Sequence, residues 1–257
     1  MSMSNFSYLS IKTIIIHEIR EYFKEFQFTI IAPLITTIIF VFIFSTLDTY
    51  YSLNSSKGIY LNFLIPGIIM TVVMQTSFNY ISEVIINMKQ IGSFEDFLMS
   101  PISRIELFFS FMISSILIGL CVGYINLLVL YFFSEFETIN YFLLTYYLLL
   151  CILIFSSLGA LTGFLSYSWD SQSTVSNFFI VPISFLSGSF FDINNIDSNY
   201  LFILKYNPIY YLVDGFRSSF YFDKQINLYS NIYILIIIFL IISSSLYIFN
   251  KGFRVIK

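Results

Sequence analysis

The stretch KQIGSFEDFLMSPISRIE, residues 89–106, is a polar island with its own helix signals, set between two long runs that carry no charge. Gly92 stops the preceding helix, Ser93 can cap the next, and Asp96 completes a capping box three residues on, with Glu95 and Asp96 near the positive end of the helix dipole. Phe94, Phe97, Leu98 and Met99 give this short helix an apolar face before Ser100-Pro101 ends it. Ser103 and Glu106 form a second capping box that opens the next apolar run. Solvated loops are seldom punctuated this tightly. A short helix held on the aqueous side of a membrane is a surface offered to another molecule.

The flanking runs set the class. The chain is 58% hydrophobic, 21% aromatic and only 11% charged, far from the roughly 45–50% apolar and about 25% charged of a soluble domain. An all-α integral membrane protein follows, and the excess of Ile, Phe and Tyr reflects biased composition more than a ligand cage. A span needs about 20 apolar residues. Six segments qualify: Phe26–Leu47, Ile59–Ser82, Leu107–Phe133, Ile139–Ser166, Thr174–Phe191 and Ile226–Phe249. None contains Asp, Glu, Lys, Arg or His. With the N-terminus inside, Lys12, Arg20, Lys24, Lys89, Arg104, Lys251, Arg254 and Lys257 are cytoplasmic, against Lys57, Lys205, Arg217 and Lys224 outside. The bias in basic residues therefore places both termini in the cytosol, with Glu83–Glu106 and the brief turn Tyr167–Ser173 on the same side. The net charge of −3 and a single His give no hint of nucleic-acid binding, for which a basic patch would be expected. Cys121 and Cys151 fall inside spans, where they act as small apolar residues and not as a metal pair. No cleavable signal is expected, because the N-terminus is acidic as well as basic and the first apolar run is too long.

Outside the spans, residues 6–25 form an interfacial helix. In IKTIIIHEIREYFKEF (11–26), Ile11, Ile15, Ile19, Tyr22 and Phe26 fall on one side at helical spacing, while His17, Glu18, Arg20, Glu21, Lys24 and Glu25 crowd the other. Ile14 is the one apolar residue on the charged arc, and His17 reads as a solvated helix residue near Glu21. Pro33 and Pro66-Gly67 predict kinks in the first two spans. Asn62, Gln75, Asn79 and Asn126 must find partners inside the bundle, either across helices or along a polar path. Ser156-Ser157-Leu158-Gly159 offers small residues for close helix approach. After the fifth span, Asp192–Gln225 is too broken to span. Within it, Asn207-Pro208 opens a short helix, IYYLVDGFRSSFYF, on which Asp214 and Arg217 can pair at i,i+3.

Across essentially its whole length the chain resembles the membrane subunits of type-2 ATP-binding cassette exporters. The resemblance is carried by FLIPGIIMTVVMQTSF, KQIGSFEDFLMSPIS, SWDSQSTVSNFFIVPISFLSGSFFDI and YNPIYYLVDGFRSSFY in that order. It implies one membrane domain over residues 1–257, with six transmembrane helices, an N-terminal interfacial helix, a cytoplasmic coupling helix and external re-entrant helices. Gly92–Met99 corresponds to the coupling helix that docks on an ATPase: Glu95 and Asp96 would meet its basic groups, with Phe94, Phe97 and Leu98 as apolar anchors. Asp192–Phe222 corresponds to the re-entrant helices that close the pathway, and Pro182, Gly188, Asn207, Pro208, Asp214 and Arg217 stand at the motif positions of this outer-gate region. The family more often has an acidic residue before its Gly, where this chain has Ile91-Gly92-Ser93. The implied assembly is a homodimer with two copies of a separate ABC ATPase in the bacterial inner membrane. ATP and Mg would bind to that ATPase and no cofactor to this chain.

The residues themselves agree with a separate motor, since the chain has no GxxxxGK[S/T] phosphate loop. A proton-coupled secondary transporter would place an ionisable residue in a span, and the six spans hold none; an ion-coupled carrier that holds sodium by carbonyls and hydroxyls is the alternative. A membrane-embedded enzyme would need a base beside a nucleophile. The single His lies in the interfacial helix, away from Ser156, Ser157 and Ser187 in the spans. The expected function is a permease that moves a lipid, glycan or drug-like amphiphile outward by alternating access.

Overall fold

The computed structural model describes residues 8–51, 59–93, 102–133, 136, 139–191, 206–221 and 228–251. Among these, every regular element is helical. The order is α1 (Tyr8–Lys24), a π-helical turn (Gln27–Ile31), α2 (Ala32–Tyr51), α3 (Ile59–Ile91), α4 (Arg104–Tyr131) and α5 (Tyr141–Leu165). A broken run follows, comprising α6 (Trp169–Val175), a π turn (Ser176–Ile180), α7 (Val181–Ser184) and a second π turn (Phe185–Ser189). Then come α8 (Pro208–Ser218) and α9 (Leu228–Lys251). Among the described residues, five helical stretches are long and apolar enough to cross a membrane: Gln27–Thr46, Leu61–Ile91, Arg104–Tyr131, Tyr141–Leu165 and Leu228–Lys251. They coincide with five of the six segments expected. The sixth, Thr174–Phe191, falls on the broken run.

Helices α3 and α5 form the centre. From Leu64 to Met74 every side chain of α3 except Val72 is buried, the mark of a helix enclosed on all sides. Its main partner is α5, against which α4, α8 and α9 also pack. The two central helices approach closely at Gly159, where a Cβ would sit 2.3 Å from the carbonyl oxygen of Phe78. The small-residue run Ser156–Gly159 thus has the packing role its composition implied. By contrast α2 and α9 leave broad apolar faces exposed, including Ile35, Phe42, Ile236 and Phe239.

At 33 residues, α3 is about 50 Å long, longer than a hydrocarbon core of about 30 Å. Glu83 to Ile91, assigned to a connection by composition, continue the same helix. It stops at Gly92, whose φ of +83° is costly for any residue with a Cβ, and Gly92 N–H donates to Met88 O at 3.1 Å. Helix α4 restarts with the predicted box intact: Ser103 Oγ accepts from Glu106 N–H at 3.2 Å and Ser103 N–H donates to Glu106 Oε2 at 2.7 Å. Between them, residues 94–101 lie outside the described residues, including the expected docking residues Phe94, Glu95, Asp96, Phe97 and Leu98.

Three local readings change. The turn expected over Tyr167–Ser173 is much shorter, because Ser168 caps α6 through its hydroxyl to Ser171 N–H at 3.3 Å, and Asp170 favours the first helical turn. The face of α1 turned toward the protein is Ile11, Ile14 and Glu18, so Ile14 and Glu18 of the charged arc are buried. His17 lies beside Glu18, with Nδ1 3.6 Å from Oε1. At Pro33 the helix absorbs the missing N–H through the π turn. Thr29 O, the carbonyl that residue 33 would otherwise satisfy, accepts from the Tyr22 hydroxyl at 3.1 Å, and Ala32 N–H reaches back to Gln27 O.

Candidate functional site

Two regions bring polar chemistry into contact with the spans. The first joins α3, α8 and the π turn that ends the broken run. Asn207 caps α8, accepting from Ile209 N–H at 3.0 Å, and Pro208 occupies the first helical position, where its missing N–H costs nothing. The Asn207 amide also donates to Leu186 O at 3.3 Å, so the cap of α8 is tied to the preceding π turn. Pro182 sits in the first turn of α7. Gly188 adopts φ +75°, a left-handed conformation that reverses the chain at the end of the run. A Cβ there would stand 3.0 Å from the Tyr210 ring. One helix away, a Cβ on Gly67 would lie 2.2 Å from Ser189 O. Only glycine lets that carbonyl rest on α3.

Arg217 closes the arrangement. Only 4% exposed, it donates from Nε to Phe63 O at 3.2 Å and from Nη2 to Gly188 O at 3.0 Å. Its guanidinium lies over the Phe63 ring, 3.7 Å from the centroid. The planar fork and its aromatic support suit arginine and not lysine. Asp214 is half-buried one turn earlier. Helical spacing points to an Asp214–Arg217 pair, but it cannot show that the guanidinium pins two backbone carbonyls from distant segments. The structure thus gathers Gly188, Asn207, Pro208 and Arg217 at one corner, with Asp214 on the same helix.

The second region lies at the other end of α3. Between α1, the Pro33 turn and α3 runs a groove of about 420 Å³, lined by Glu25, Thr36, Gln75, Asn79 and Glu83 among others. It continues into a wider cleft of about 780 Å³ that reaches His17, Glu18 and Trp169. Tyr22, Glu25, Thr29, Tyr80 and Glu83 line both, and the Glu25 and Glu83 carboxylates are near enough to repel each other. Glu18 is 7% exposed. Burial raises its carboxyl above the ordinary range, opposed by His17 and by a hydrogen bond from the Tyr80 hydroxyl at 3.3 Å. Of the polar residues singled out in the spans, Gln75 faces the groove, while Asn126 bonds across helices, accepting from Thr37 Oγ1 at 3.1 Å. Asn79 does both, lining the groove and accepting from Gln172 and Ser176. Glu18 and Lys89 are the polar residues that sequence reasoning left without a structural role, since their partners are far away in the chain.

A bundle of long apolar helices with its charges at the ends and rims is, among the described residues, the build of a multi-pass membrane protein. The family model of the ABC-2 type transporter matches residues 10–221, and the chain belongs to that family. It is therefore a permease subunit of an ABC transporter, and membership implies a partner subunit that binds ATP. Among individual proteins it is similar to the inner membrane transport permease YadH of Escherichia coli K12, at 24% identity over 98% of this chain and 100% of that protein. YadH of Shigella flexneri matches with the same identity and coverage.

Proposed function

We propose that the chain is the permease of an ATP-driven exporter in the bacterial inner membrane, working by alternating access as a homodimer with two ATPase copies. In this reading both termini are cytoplasmic, α1 is the interfacial helix, and the broken run supplies the sixth span. Gly92–Met99 docks on the ATPase through Glu95, Asp96, Phe94, Phe97 and Leu98. Pro182, Gly188, Asn207, Pro208, Asp214 and Arg217 belong to the outer gate, and ATP and Mg are bound only by the ATPase.

The observation that carries the proposal is the framing of the docking segment. A continuous helix longer than the membrane is thick ends at the left-handed Gly92, and α4 restarts at a complete capping box on Ser103. A push delivered at these two helix ends would pass directly into α3 and α4. The exposed apolar faces of α2 and of Phe178 and Phe185 are where a second copy would seat. The groove with Gln75 and Asn79 on its wall suits an amphiphilic cargo, with polar groups for a head and apolar helices for a tail.

Replacing Glu95 and Asp96 together by Lys tests the docking. Co-purification with the ATP-binding subunit and permease-stimulated ATP hydrolysis should both be lost. Unchanged binding with unchanged hydrolysis would remove the coupling role.

A further inference from the structure

Lys89 lies in the last turn of α3, three residues before the helix stops at Gly92. Its ammonium donates to Gly163 O at 2.8 Å, to Phe164 O at 2.5 Å and to Ser166 O at 3.3 Å, and lies 5.9 Å from the centre of the Phe164 ring. These carbonyls belong to the C-terminal end of α5, where four backbone acceptors lose their helical partners and the dipole is negative. An ammonium has three donors, and here each has a carbonyl.

The same face of α3 holds the element that follows. Asn79, Ser82 and Lys89 recur at helical spacing. Gln172 of α6 donates from Nε2 to Asn79 Oδ1 at 3.2 Å and to Ser82 Oγ at 2.9 Å, and Ser176 Oγ donates to Asn79 Oδ1 at 3.1 Å. Gln172 is 4% exposed. One polar ladder on α3 therefore grips both sides of the turn 166–168, through the end of α5 and the start of α6.

We infer that Lys89 is a positioning residue that carries motion from the docking segment into the broken run Trp169–Ser189. This rests on the reading that Gly92–Met99 receives the ATPase. A push at Gly92 moves the last turn of α3, and Lys89 takes the α5–α6 corner with it. The α6 end of the run then follows through Gln172. Without Lys89 the push still reaches α3, but the corner is released from it.

The test uses the full permease–ATPase complex, with Cys121 and Cys151 replaced by alanine and a single reporter, Ser173→Cys, on the exposed side of α6. Maleimide labelling rates are compared without nucleotide and after trapping with ATP and vanadate. With Lys89 present the two rates should differ several-fold. In Lys89→Met the difference should vanish while co-purification and basal ATP hydrolysis stay unchanged, and Lys89→Arg, which keeps donors at that position, should restore part of it. A reporter that ignores nucleotide in the parent complex overturns the inference, as does a Lys89→Met complex that melts earlier yet keeps the full difference, since that is a static brace. Should Lys89→Met fail to assemble, Gln172→Leu cuts the same path from the other side, and an undiminished difference there overturns it equally. Failure of the parent chain to bind any ATPase would instead strike the proposed function, and the untreated control shows this separately.

Discussion

Replacing Arg217 with Lys keeps the charge and tests the geometry. The guanidinium makes two charge-assisted hydrogen bonds to backbone carbonyls and lies over the Phe63 ring. A lysine ammonium is a point donor on a flexible stem; it can reach Phe63 O or Gly188 O while losing the planar contact. One hydrogen bond to a charged group accounts for about 1.5–3 kcal/mol, and a desolvated cation–π contact adds roughly 1–2 kcal/mol, part of which an ammonium keeps. The expected loss is therefore about 2–4 kcal/mol of stability at this corner. Thermal unfolding in detergent, followed with a fluorogenic thiol dye, reads it directly: Cys151 is fully buried and becomes reactive only when the bundle opens, against a constant baseline from the half-buried Cys121. The Lys variant should melt clearly below the parent while still binding the ATP-binding subunit, because the proposed docking segment begins at Gly92, at the opposite end of α3 from Phe63. A midpoint within experimental error of the parent would show that neither the fork nor the stacking matters, and the account of this corner would fall.

Two further perturbations address single features. Gly188→Ala should lower stability by about 1–3 kcal/mol, the cost of holding an L-residue in the left-handed region, and adding Tyr210→Leu should recover little, since the strain is in the backbone; full recovery would place it in the side-chain contact at 3.0 Å. Glu18→Gln should change the pH dependence of melting. Because burial raises the Glu18 carboxyl in the folded state, its contribution to stability is fully present below the ordinary carboxylate range and is lost as pH rises through the raised value. The parent should therefore lose stability relative to the Gln variant across that window, and parallel curves would refute the assignment.

What the sequence made legible was local. Ser103 with Glu106, Asn207 with Pro208, and Gly92 at a helix end are punctuation within a few residues, and each occupies the structural position expected of it. The apolar runs were equally plain because the bilayer sets their length. Pairings across the chain were not legible. Glu18 sat on a charged arc and looked solvated; its burial depends on Tyr80, 62 residues away in sequence. Lys89 counted only as one more basic residue for orientation, because nothing in its neighbourhood announces the end of α5, 74 residues on. The π turns also escaped the pattern, since shifting a hydrogen bond from i−4 to i−5 leaves the hydropathy of a span unchanged.

Two of those contacts share a chemistry: a cation reaches the backbone carbonyls of a distant segment. Arg217 does this for Phe63 and Gly188, and Lys89 does it for the end of α5. Between those two points lies the broken run, linked to α3 near Ser166 at one end and near Gly188 and Ser189 at the other. Its π turns at Ser176–Ile180 and Phe185–Ser189 are the segments where a helix can change its hydrogen-bond register without unfolding. Helix α3, by comparison, is continuous α-helix with no π turn, though it holds one internal proline at Pro66. A displacement imposed on α3 would therefore be taken up in the run between its two anchors, and the π turns are where its shape would change.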